Sequence, residues 1–130
     1  DMAAQVAGEM PAREAVAACR WLPDRELAVY AGEYARRGFQ GGLNWYRCRQ
    51  EARLIVEQQL FSGRRIEVPA AFVAGASDWG VHQIPGALER MEQACRDWRG
   101  IHLVPGAGHW VQQEQDAAVT QHLLAFLRGL

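Results

Sequence analysis

Apolar side chains recur at steps of three and four between residues 11 and 61. Beyond residue 65 the pattern becomes short continuous apolar runs alternating with amphipathic stretches. The first pattern predicts helices and the second predicts strands alternating with helices. Residues 12–21 read as a helix with Ala15, Val16, Cys19 and Trp21 on one face, and Pro23 restarts the chain. In the next helix Leu27, Tyr30, Ala31 and Tyr34 share a face, Arg36 and Arg37 sit in the last turn, and Gly38 is a stop signal. After a turn at 39–42, a third helix is expected over 43–60. Residues 1–10 carry little pattern and read as a poorly ordered lead-in.

The polar break at 62–65 precedes a β-rich run at 66–74, a helix over 85–97 with Ala87, Leu88, Met91, Ala94 and Cys95 inward, a strand at 100–104, and a helix over 116–127. Strand–helix–strand–helix with short loops is the signature of parallel sheet. Fold class is therefore α/β, with two regions divided at 61/62.

Composition narrows the function. The chain has 130 residues, 49% hydrophobic and 22% charged, enough for one domain with a modest core. Net charge is −1, with the 14 basic residues all Arg and scattered, so no field for nucleic acid or an anionic membrane is present. Three cysteines without metal-ligand spacing predict reduced thiols and a cytoplasmic protein. Cys19 and Cys95 fall on helical stretches and read as small core residues. No apolar run reaches a membrane-spanning length. The N-terminus lacks the pattern of a secretion signal, and its first residue is Asp1, so residues are expected to have been removed or added there.

One histidine stands out. His109 lies in Gly106-Ala107-Gly108-His109-Trp110, five residues beyond the second strand, and Asp78 lies four residues beyond the first. Loops at the carboxyl ends of parallel strands share one edge, and neighbouring strands are about 5 Å apart. An aspartate there can hold one imidazole nitrogen and leave the other as a base. Acid, then histidine after the last strand, is also the order of an α/β-hydrolase triad. His102 and His122 read as structural or surface residues, and His82 could approach the site. Asp97, Glu114 and Asp116 read as surface or capping carboxylates.

The segments VPAAFVAGASD at 68–78 and VPGAGHWVQQE at 104–114 resemble the C-terminal end of α/β-hydrolase-fold epoxide hydrolases, and GFQGGLNWYR at 38–47 is similar to the lid segment of that family. The resemblance covers about residues 20–130. It implies the C-terminal part of an α/β-hydrolase fold: a parallel sheet edge with flanking helices at 62–130, preceded by the end of a helical lid at 1–61. It implies hydrolysis of an epoxide to a vicinal diol through an aspartyl-ester intermediate. His109 would be the general base, Asp78 would orient it, and Tyr46 would donate a proton to the epoxide oxygen. Leu43, Trp45 and Trp110 would line the substrate.

The resemblance implies no cofactor or metal. Its partners would be a small-molecule epoxide and an N-terminal part supplying nucleophile and oxyanion hole, with a homodimer left open. The family's Gly-x-Asp-x-Gly elbow and His-Gly-x-Pro segment do not occur in these 130 residues, and a second lid tyrosine cannot be assigned. The chain alone is therefore expected to be inactive. Competing readings are another α/β-hydrolase (a haloalkane dehalogenase or an esterase) and a non-catalytic fragment or binding module.

Overall fold

A computed structural model describes residues 1–130. The chain forms two compact units, Asp1–Gly41 and Gly42–Leu130. The first is helical, with α1 (Met2–Gly8), α2 (Arg13–Ala18) and α3 (Asp24–Arg37). Residues 1–10 are thus not an irregular lead-in. An alanine-rich stretch forms a helix whose N-cap, Asp1, accepts from the Ala3 amide at 3.1 Å. Pro23 is the N-cap of α3, Asp24 and Glu26 occupy its first turn and Arg36 and Arg37 its last, and Gly38 closes it at φ 69°. Tyr34 and Phe39 stack with ring centroids 4.5 Å apart. No residue of α1, α2 or α3 is buried.

The second unit takes in most of α4 (Gln40–Arg47), then α5 (Ala52–Gln58). The single helix expected over 43–60 is broken at 48–51, where Glu51 turns extended at φ −84° and ψ 117°. The Gln58 side chain donates to the Cys48 carbonyl at 3.0 Å, satisfying one backbone acceptor that the break exposes. Apolar periodicity runs through such a break unchanged, which is why it does not register in the sequence.

Two strands, β1 (Ile66–Gly75) and β2 (Cys95–Val104), pair in parallel, joined by a 3₁₀ turn at Trp79–His82 and by α6 (Ala87–Ala94). The sheet therefore has the expected parallel topology, but β2 begins five residues earlier than its apolar pattern. Cys95 is buried strand at φ −116° and ψ 142°, not helix. Pairing Ile66 with Cys95 matches β2 to the full length of β1, and that tertiary pairing overrides the local helical pattern. The register slips twice. The first slip adds a residue to β1 before Pro69, which has no amide to donate, and the second adds one to β2 at Arg99–Gly100, where Gly100 has φ 102°. The second slip restores the original offset, so the carboxyl ends of the two strands finish in step, Gly75 opposite Val104.

α7 (Val111–Glu114) and α8 (Asp116–Arg128) follow, and α8 packs on both strands. The core under the site is small: Val104, Ala107 and Val111, with Val73, Ala118 and Val119 against them. His102 stacks on His122 of α8, centroids 4.5 Å apart. Alternation puts Ile101 and Leu103 on the other face of β2, where both are exposed.

Candidate active site

The site is built where β1 and β2 end. Beyond β2, Pro105 and Gly106 make a turn with Gly106 at φ 73°, the proline–glycine order of a type II turn. Ala107, 1% exposed, anchors the loop in the core two residues before His109. The loop also lies against the end of β1. The Ala76 amide donates to the Val104 carbonyl and the Ser77 amide to the Ala107 carbonyl, both at 2.9 Å. Gly75 makes this approach possible, since a Cβ there would overlap the carbonyl oxygens of Ala107 and Gly108.

Asp78 then enters the 3₁₀ turn as its N-cap and accepts from the Gly80 amide at 2.7 Å. Its carboxylate faces His109, with Nδ1 at 3.0 Å from Oδ1 and 3.2 Å from Oδ2. The Gly80 hydrogen bond is the largest influence holding the Asp78 carboxyl below its usual range. Burial opposes it, and the hydrogen bond and charge of His109, with a smaller effect of His82, add to the lowering. An ionised Asp78 only accepts, so Nδ1 carries the proton and Nε2 is the basic nitrogen. The Asp78 side chain is 12% exposed and that of His109 51% exposed, so the orienting group is shielded while water can reach the imidazole.

Two indoles frame the ring. Trp79 stacks on His109 with centroids 5.6 Å apart and planes at 22°, and Trp110 meets it edge-on at 5.5 Å and 77°. Glu114 takes the Gly108 amide on Oε2 at 2.7 Å and the Trp110 amide on Oε1 at 2.9 Å.

Of the residues singled out in the sequence, Asp78, His109 and Trp110 are thus brought together. Leu43, Trp45 and Tyr46 lie exposed on α4, and Tyr46 makes no hydrogen bond or ring contact with the pair. Trp45 carries the Arg49 guanidinium over its ring at 5.4 Å. His82 ends the 3₁₀ turn and is exposed. Trp79, Gly80 and the bracing role of Glu114 escaped sequence reading. Trp79-Gly80 directly after a capping Asp was the available signal for the first two. Glu114 reaches backwards much as a capping-box glutamate does.

A parallel pair of strands with an Asp after the first, a His after the second and helices alongside defines the class: the C-terminal part of an α/β-hydrolase fold. No protein-family model matches the chain. It is 40% identical over 113 residues to epoxide hydrolase A of Mycobacterium tuberculosis, covering 85% of this chain and 33% of that protein. Among solved structures, epoxide hydrolase A from Mycobacterium thermoresistibile matches with TM-score 0.73 and 40% identity over 86% of this chain and 34% of that one. Potato (Solanum tuberosum) epoxide hydrolase I matches with TM-score 0.75 and 28% identity over 93% and 38%. By sequence and fold the chain is similar to the C-terminal portion of the α/β-hydrolase-fold epoxide hydrolases. It spans about a third of the length of the relatives it matches.

Proposed function

We propose that this chain supplies the water-activating half of an epoxide hydrolase site. The observation that carries the reading is the His109 Nδ1–Asp78 hydrogen bond, which fixes the tautomer and leaves Nε2 free beside solvent. In the proposed reaction an aspartate carboxylate from the N-terminal part attacks an epoxide carbon. The C–O bond breaks, and the oxygen takes a proton to give a hydroxyalkyl ester. His109 Nε2 then removes a proton from water, the hydroxide adds to the ester carbonyl, and the diol leaves as the carboxylate is restored. Asp78 stabilises the imidazolium formed in that step. Epoxide and water go in and a vicinal diol comes out, with no redox change.

Tyr46 is the proposed proton donor to the epoxide oxygen. A phenol with an ordinary pKa near 10 stays protonated at neutral pH yet can share its proton with a more basic alkoxide. Leu43, Trp45 and Trp110 are the proposed substrate-lining residues, and 1–61 the proposed end of a lid. The N-terminal part is the proposed covering partner. Its support is the absence of buried residues in α1, α2 and α3 and the exposure of Ile101 and Leu103 on a two-stranded parallel sheet, since such sheets are normally covered on both faces. Three free thiols accord with a cytoplasmic setting.

The test is Tyr46→Phe in the complete protein, assayed for diol formation from a panel of terminal and aryl epoxides. Ring opening should slow by about 10²-fold or more, the range for loss of a hydrogen-bond donor to a developing oxyanion. Unchanged epoxide turnover would remove Tyr46 from the reaction, and parent protein that turns over none of the panel would refute the epoxide reading.

A further inference from the structure

We infer that Glu114 is a positioning residue for His109, acting on the backbone on both sides of it. This rests on the reading of His109 as the base. The carboxylate uses one oxygen for each flanking amide, Oε2 for Gly108 and Oε1 for Trp110, so the loop is held at the residues immediately before and after the imidazole. Both bonds are charge-assisted, and their lengths lie in the short range expected for an ionised acceptor.

The bracket has a fixed base. Glu114 ends α7, its own amide donates to the Trp110 carbonyl at 2.9 Å, and α7 is pinned by buried Val111. The carboxylate lies directly against Gly108: a Cβ at that position would sit 3.4 Å from Oε1 and 3.5 Å from Oε2. No arginine pairs with Glu114, although 14 are present and Glu33, Glu51 and Glu67 each have one. A glutamate serving only the surface would keep its oxygens in water or on a cation, whereas this one directs both at the loop that carries the candidate base. Nothing else of the side-chain kind bonds to that loop's amides at 108 and 110. Asp78 fixes the rotation of the ring from one side and Glu114 fixes where the ring is hung.

The experiment compares Glu114→Ala and Glu114→Gln with the parent in the complete protein. It reads the His109 Hδ1 proton resonance, hydrogen exchange of the Gly108 and Trp110 amides, and the single-turnover rates of ester formation and ester hydrolysis. Glu114→Gln keeps the shape, but its single acceptor oxygen can serve only one of the two amides, so it guards against misfolding of the alanine variant. The positioning role predicts faster exchange at both amides in Glu114→Ala and at one in Glu114→Gln. It also predicts a broadened or lost Hδ1 signal. Hydrolysis should be slowed by about 10–100-fold, with ester formation unchanged, as a loop misplacement near 1 Å would give. A lowered melting temperature with the Hδ1 signal and hydrolysis rate retained in either folded variant would make Glu114 merely structural and overturn the inference. Failure of the parent to form any ester would refute the epoxide reading alone, since the exchange and Hδ1 signatures still decide whether Glu114 holds His109.

Discussion

Replacing Asp78 with asparagine changes one atom and inverts the hydrogen bonding on which the site depends. In Asp78→Asn the one remaining side-chain oxygen would keep the Gly80 amide, the shorter contact at 2.7 Å. The retained oxygen, 3.0 Å from His109 Nδ1, would then be an uncharged and weaker acceptor already engaged by Gly80, while the new amide nitrogen would stand where Oδ2 lies, 3.2 Å from Nδ1, and could only donate. The imidazole would answer by moving its proton to Nε2, the nitrogen proposed to accept from water. Geometry survives and basicity at the useful position does not. A positioned general base is worth about 10²–10⁴ in rate, so ester hydrolysis should fall by about 3–5 kcal/mol of barrier while ester formation, which needs no base, holds. Long-range proton–nitrogen NMR of His109 reports the tautomer, and single-turnover kinetics separates the two steps. A folded Asp78→Asn protein with the proton still on Nδ1 and parental hydrolysis would refute the reasoning.

Two further outcomes follow from the same geometry. Gly75→Ala forces a methyl group into the carbonyls of Ala107 and Gly108. It should destabilise the protein by about 1–3 kcal/mol, measured by urea unfolding, and slow hydrolysis by moving the histidine loop. A change within about 0.5 kcal/mol would mean that the two loops do not meet as described. Because the folded Asp78 carboxyl lies below its ordinary value, its contribution is present above about pH 4 and lost as the pH falls through the lowered folded value. Unfolding measured across this acid range should therefore show a steeper loss for the parent than for Asp78→Asn, and parallel curves would contradict it.

Much of the fold could be read because local pattern and tertiary role agree. β1, α3 and α8 fall within a residue or two of their apolar periodicity. The failures have a common physical origin in contacts that sequence spacing does not encode. Cys95 becomes strand because Ile66 pairs with it, and the 43–60 stretch breaks at a turn whose carbonyl is satisfied by Gln58 ten residues away. Asp78 and His109 could be placed at one edge because parallel strands bring their carboxyl ends together. Trp79 and Glu114 could not, because a ring stack and a back-reaching carboxylate depend on how the two loops curl. Tyr46 was legible only through resemblance, and its exposed position on α4 adds no contact to the pair.

The central claim is that His109 activates the water that cleaves an alkyl-ester intermediate. Intact-mass analysis of the complete protein carrying His109→Gln, mixed with a turned-over epoxide, tests it most directly. The account predicts rapid gain of one epoxide mass that persists while diol formation stops. Parental diol release with no retained adduct would contradict it.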